Sequence, residues 1–393
     1  MRKLLLGLAL SACLSGLARA QQTAPLPIVV GAALPQSGIL ADIGADLKKA
    51  LLLWQDEVNA GGGLLGRRVE LLLLDDLSEA RAAGKLYEQL IHEHKADLLI
   101  GPLGSAASLG AAVAAERNRR ILINATGAAR TVHRSALRYV FQTAAPLSAY
   151  GTGALELARG LGVKRIVLLA REDPGAREMA ARAREEAAAL GFAVAEVEVY
   201  AAGSNDFTPQ VARAKAAGAE AWIAFGLPQD AAEMVKSLRK LGFAPRLFVA
   251  QGAADPEFIR RVGQDAEFAV GISAYERRAA TRGNAQFVAG YAKKWSAEPG
   301  HLAAEGYAAA KVLEEAVRRA ASIETDRLRE VLAALETETP LGGYKVERAG
   351  AQLAARPLLV QIIRGRREIV WPEALASAKL QPYAAWEGRK PLK

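Results

Sequence analysis

The sequence predicts an α/β protein built from two doubly wound, Rossmann-like lobes. Three observations predict it. Short apolar runs alternate with segments of helical period along residues 27–273, the signature of parallel βα units. The alternation pauses near residues 141–146 and restarts as a second series of similar length, which implies two like lobes. No stretch rich in Pro, Gly or Ser separates the two series, so the chain should cross between lobes more than once through short hinges.

The first residues read as an export signal. Arg2 and Lys3 give a charged start, residues 4–14 a short apolar run, and Ala18, Arg19 and Ala20 a small-x-small cleavage site. The run is too short to span a bilayer. The expected mature chain begins at Gln21 and resides in the periplasm. Leu10, Ser11, Ala12 and Cys13 resemble a lipoprotein box, a second-ranked reading that would leave an unusually short signal. Cys13 is the only cysteine, so the mature chain has no disulfide and no thiolate metal site. Loss of Arg2, Lys3 and Arg19 lowers the formal charge from +9 to +6. The basic residues are scattered among acids, which argues against a nucleic-acid surface.

Residues 27–34 form a β-rich run, and residues 44–59 place Leu47, Leu51, Trp54 and Val58 at helical spacing. Gly61, Gly62 and Gly63 stop that helix. Residues 69–74 are a continuous apolar strand ending at Asp75 and Asp76, and Ala82, Leu86 and Leu90 mark the next helix. Leu98, Leu99 and Ile100 form a buried strand, and Gly101, Pro102 and Gly104 force a turn. Ser105 then opens an Ala-rich helix over residues 106–117, in the N-cap position. A strand, a glycine turn and a helix N-terminus leave free N–H groups and a positive dipole end, a ready carboxylate or phosphate site. Such turns lie at the carboxyl ends of parallel strands, where open α/β sheets bind ligands. The plainer role for Ser105 is a helix cap alone.

Residues 121–123 are a fourth strand, ending at Asn124, Ala125, Thr126 and Gly127. The second series has strands at 165–169, 194–200, 221–225 and 247–250, and helices at 147–161, 178–190, 208–216 and 231–241. After residues 270–273 come helices at 287–295, 302–319 and 328–335, with late strands at 344–346 and 358–363. Arg364, Arg366 and Arg367 flank Gly365 as a hairpin tip.

Several motifs fail on chemistry. The run from Gly61 to Gly66 lacks the Lys and Ser/Thr of a phosphate loop and runs from helix to strand. Gly151, Thr152 and Gly153 lack a third glycine. His92 and His94 are two apart and face different sides of a helix. Asp75 and Asp76 point to opposite sides of their strand. Ser105 has no Gly-x-Ser-x-Gly elbow, and nothing assembles a nucleophile, a base and an orienting group. The chemistry indicated is binding, with no cofactor and no metal.

Leu34, Pro35, Gln36, Ser37 and Gly38, then residues 57–62 (Glu-Val-Asn-Ala-Gly-Gly) and 64–67 (Leu-Leu-Gly-Arg), occur in an ordered series. Asp75 and Asp76, Gly101 and Pro102, residues 205–208 (Asn-Asp-Phe-Thr), and Trp371 and Pro372 continue it. In this order and spacing the chain resembles the substrate-binding proteins of ABC importers, of the Leu/Ile/Val-binding type, from about residue 28 to 382. The resemblance implies a type I periplasmic binding fold with three hinge crossings. Lobe 1 would hold residues 26–144 and 274–341, lobe 2 residues 145–273 and 342–375, and residues 376–393 would be a tail. It implies that Ser105 and Thr126 hold a ligand carboxylate, with backbone from Gly104, Asn124 and Ala125. The family's carboxylate for an ammonium group falls at Gln251, and its usual aromatics at Leu227 and Pro174. Tyr275, just after the second crossing, reads as a wall residue of the site or, equally, as a core residue. An amide accepts a hydrogen bond from an ammonium but does not neutralise it. Asp42, Asp173, Asp230 and Asp255 lie in or near βα loops and are the alternative counter-ions. Without one, acids lacking an amino group should bind better than leucine. The expected partners are a small carboxylate ligand and ABC permease membrane subunits, with the protein itself a monomer. A sensory binding protein reporting to a regulator is the alternative.

Overall fold

The computed structural model describes residues 25–133, 137–387 and 389. The signal segment and Cys13 lie outside the described residues. The first series is β1 (Ile28–Leu34), α1 (Ala41–Ala60), β2 (Val69–Asp75), α2 (Ala83–His92), β3 (Leu98–Gly101), α3 (Ser105–Arg117), β4 (Leu122–Asn124) and β5 (Val140–Gln142). The second is α4 (Thr152–Gly160), β6 (Arg165–Arg171), α5 (Pro174–Ala189), β7 (Ala193–Tyr200), α6 (Thr208–Ala216), β8 (Ala221–Phe225), α7 (Pro228–Lys240), β9 (Leu247–Ala250), α8 (Pro256–Val262) and β10 (Val270–Ser273). Then follow α9 (Asn284–Trp295), α10 (His301–Ala320), α11 (Thr325–Ala334), β11 (Thr337–Thr339), β12 (Gly342–Tyr344), β13 (Leu358–Ile363) and β14 (Arg366–Trp371).

The strands form two sheets of matching topology. The first is parallel, in the order β2-β1-β3-β4-β5. The second repeats that order as β7-β6-β8-β9-β10 and extends it with antiparallel β13 and β14. Their apolar runs follow from burial on both faces. Leu98 and Ile100 pack with Trp54 and Leu313 on one side of β3, while Leu99 packs with Tyr87 and Leu122 on the other. In β8, Ile223 faces one core while Trp222 and Ala224 face the opposite one. The hairpin tip between β13 and β14 has Arg364 at φ 52° and Gly365 at φ 72°, both left-handed as a tight two-residue hairpin turn requires.

Two expected boundaries move. A crossing at residue 341 does not fit, because β11 and β12 pair as a hairpin and Tyr344 and Val346 are buried in the first lobe's core. The chain leaves that lobe only after Val346. It then runs beside the first crossing, where Gln142 N donates to Gly350 O at 2.8 Å and Gln352 Nε2 to Thr143 O at 3.1 Å. Nor is the C-terminal segment a loose tail. Tyr383 is buried against Phe248 at a ring separation of 5.4 Å and against Trp386 at 5.7 Å, inside the second lobe's core. Apolar aromatic area makes this segment part of the lobe.

Asp75, at the end of β2, ties the loop after β1 in place. Its carboxylate accepts from Ser37 Oγ at 2.7 Å, from Gln36 N at 2.9 Å and from Leu77 N at 2.9 Å. The Ser37 hydroxyl is the largest cause holding its carboxyl down at about 2.

Candidate functional site

The ends of the third and fourth strands of each lobe meet around one cavity of about 720 Å³. From the first lobe come Leu103, Gly104 and Ser105 after β3, and Thr126 after β4. From the second come Gly226 and Leu227 after β8, and Gln251 and Gly252 after β9. Tyr275, just past β10, closes one side. The volume lies within the roughly 300–1,000 Å³ usual for small-molecule clefts.

The turn after β3 is built on glycine. Gly104 has φ 81° and occupies the cap of α3, a conformation L side chains rarely take. Ser105 is therefore the first helical residue and not the cap that its position in the sequence suggests. Its hydroxyl accepts from Ala129 N at 3.0 Å, which ties the β4 loop to α3 and leaves the Ser105 proton free to donate. Ser108 N donates to Gly104 O at 3.0 Å and closes the first turn. The preceding amides of α3 are the unpaired donors every helix start presents.

Thr126 braces the same turn. Its hydroxyl accepts from Gly104 N at 2.6 Å and donates to Pro102 O at 2.9 Å. Its one proton is thus already used, so Thr126 lines the cavity chiefly as a positioning residue. Asn124 and Ala125 do not line it. Both are fully buried behind the wall. The Asn124 amide holds the loop that follows, accepting from Gly127 N and donating to Gly127 O, each at 2.9 Å.

The second lobe's wall depends on close backbone approach. A Cβ on Gly252 would sit 2.3 Å from Leu227 C and O, so only glycine lets the β9 loop lie against the β8 loop. Leu227 presents an apolar side chain and Gln251 a half-buried amide. Tyr275 is nearly buried, packs edge-on against Phe287, and its hydroxyl donates to Asn284 Oδ1 at 2.7 Å.

The four candidate aspartates are mostly committed elsewhere. Asp42 is exposed in the first turn of α1 and does not line the cavity. Asp173 caps α5 through Ala176 N at 2.8 Å, and Pro174 begins that helix away from the cavity. Asp230 is buried and accepts from Leu227 N at 3.0 Å and Tyr200 Oη at 3.1 Å. Asp255 does line the cavity, but one oxygen caps α8 by accepting from Glu257 N at 2.7 Å.

Several cavity residues escape a reading by strand ends, Tyr150, His301 and Glu305 among them. Tyr150 lies beyond the first crossing, just before α4, and Glu305 lies in the second turn of α10. A signal for Glu305 was present. It stands on the stripe Ala309, Val312, Ala316 and Ala320, which is otherwise apolar and buried. Among the described residues, no group of three or more His, Cys, Asp or Glu is placed to hold a metal ion.

The family described as periplasmic binding protein matches residues 27–367. The Leu/Ile/Val-binding protein homolog 8 of Brucella suis biovar 1 (strain 1330) is 25% identical over 400 residues, covering 96% of this chain and 98% of its own length. The fold is similar to that of a branched-chain amino acid transporter substrate-binding protein from Streptococcus pneumoniae, solved with isoleucine. Its TM-score is 0.69 at 22% identity, covering 88% of this chain and 100% of that one. It is equally similar to a solute-binding protein of an ABC transporter from Rhodopseudomonas palustris, solved with 3,4-dihydroxybenzoic acid. There the TM-score is 0.70 at 22% identity, covering 87% and 95%.

Proposed function

The chain belongs to the periplasmic binding protein family, and on that footing we propose that it is an exported solute-binding protein that closes two lobes on a small carboxylate-bearing ligand and delivers it to an ABC import permease. It acts by binding and not by catalysis. The observation that carries this reading is the turn from Gly101 to Ser105. It presents a hydroxyl proton and the start of a thirteen-residue helix to a cavity walled by both lobes. A carboxylate there accepts from Ser105 and lies at the positive end of the α3 dipole. Gln251, Leu227 and Tyr275 supply contacts from the second lobe and the hinge, so they add to affinity only when the lobes close. The permease would read that closed state.

The likeness to proteins whose names or ligands include Leu/Ile/Val, isoleucine and a dihydroxybenzoic acid supports a carboxylate as the common feature. Export rests on the signal segment and on family membership. No helix among the described residues is long and apolar enough to cross a membrane.

Ser105→Ala tests the reading. It removes the one free hydroxyl donor of the turn and leaves α3 its glycine cap. Affinity should fall by about 1–3 kcal/mol, the scale of a hydrogen bond to a charged group, and the melting temperature should fall modestly because Ala129 N loses its acceptor. An unchanged dissociation constant for a carboxylate ligand would reduce Ser105 to a tie between two loops.

A further inference from the structure

Glu305 is the charged group of the cavity that the fold leaves unused. It is only 8% exposed, yet its side chain faces the cavity. The other charged groups of the lining are engaged: Glu276 pairs with Arg367, Arg277 with Glu298, and Asp255 caps α8. No ion pair or hydrogen bond reaches the Glu305 carboxyl among the described residues, and burial alone pushes it up to about 8. Its nearest titratable neighbours are also accounted for. Tyr150 feels its charge, and Tyr275 is bonded to Asn284. His301 stands one turn earlier on α10. The facing acids of α1 are Asp46, near His301, and Glu57, which accepts from Tyr307. The strands β3 and β4, on which α10 packs, carry no titratable side chain.

A buried acid without a partner is destabilising, and its retention needs an offsetting interaction. Resting on the carboxylate-binding reading above, we propose that Glu305 receives the cationic amino group of the ligand, so that the site takes a zwitterion with its carboxylate at Ser105 and its ammonium at Glu305. Glu305 lies on a first-lobe helix that packs on the strands carrying Ser105 and Thr126. Both ends of the ligand are thus held by one lobe before closure. At the end of β9 the second lobe presents only the Gln251 amide to the cavity, so the charge comes from α10.

The proposal fixes the sign of a pH effect. Glu305 must be ionised in the complex, while burial keeps it protonated up to about pH 8. Binding of an ammonium compound therefore releases a proton, and affinity rises with pH. A neutral or purely anionic ligand favours the protonated acid, and its affinity falls.

The experiment is calorimetric titration with L-leucine, L-phenylalanine and L-glutamate, each paired with the 2-oxo acid of the same side chain. Measurements at pH 7 and pH 8.5 use the full-length exported chain and its Glu305→Gln and Ser105→Ala variants. At least one amino acid should bind more tightly than its 2-oxo acid, with affinity rising roughly eightfold between the two pH values. Glu305→Gln should abolish that rise and weaken amino-acid binding at least tenfold, while leaving 2-oxo acids at or above their original affinity. It should also melt no lower than the parent at pH 8.5, because it removes an unpartnered acid. Tighter binding of the 2-oxo acids, a falling pH profile, or equal loss of both classes in Glu305→Gln would overturn the assignment. If Ser105→Ala weakens both classes while Glu305→Gln spares the amino acid, only the Glu305 assignment falls. If no compound binds, the carboxylate reading falls with it.

Discussion

Replacing Thr126 by valine should damage the site more than removing the Ser105 hydroxyl. The side chain keeps its branched shape but loses two internal bonds, from Gly104 N at 2.6 Å and to Pro102 O at 2.9 Å. Both partners belong to the turn that positions Ser105 and the first amides of α3. Each orphaned group costs about 1–3 kcal/mol, so the combined loss should reach roughly 2–6 kcal/mol. It should appear partly as a lower melting temperature and partly as a dissociation constant raised roughly 10- to 100-fold. Thr126→Ser keeps the hydroxyl and should retain most of both properties. A valine variant with parental affinity would show that the turn holds its geometry without this brace.

Trp54→Ala should be the most destabilising single truncation in the first lobe. Trp54 is fully buried on α1, in the core shared with α10, and its indole N–H donates to Glu314 Oε2 at 3.1 Å. Truncation opens a large cavity and leaves the Glu314 carboxylate with one donor fewer. The loss should be about 3–5 kcal/mol in urea unfolding. Because α10 carries Glu305, ligand binding should weaken as well. A change below about 1 kcal/mol would mean that the α1–α10 layer repacks around the gap.

Much of this fold is legible in the sequence because its strands are covered on both faces. Residues such as Leu98, Leu99 and Ile100 must then all be apolar, and the run stands out. The glycine and proline of the turn after β3 mark where the strand stops. Some short elements leave no such trace. The strand β5 has three residues, and helix α8 has seven, too few for a period to show. The third crossing is not legible in the sequence because Tyr344 and Val346 look the same there whichever core they join. Ser105 reads as the cap because serine is a good cap, but the positive φ at the cap position admits only glycine comfortably. For a counter-ion the sequence pattern points to strand ends, where α/β sites gather. Glu305 reaches the same cavity from a helix, and its clue was an acid on an apolar stripe.

If the α3 turn holds a ligand carboxylate in the cleft between the lobes, the ligand's charge must matter there. The most direct measurement is calorimetric titration of the tightest-binding acid from the paired panel against its own primary amide. The amide keeps size and shape but removes the negative charge and replaces one acceptor oxygen with an NH2 donor. The acid should bind at least roughly 100-fold more tightly, because the amide cannot take the charge-assisted bond at Ser105 or the dipole of α3. Equal affinity of acid and amide would contradict it.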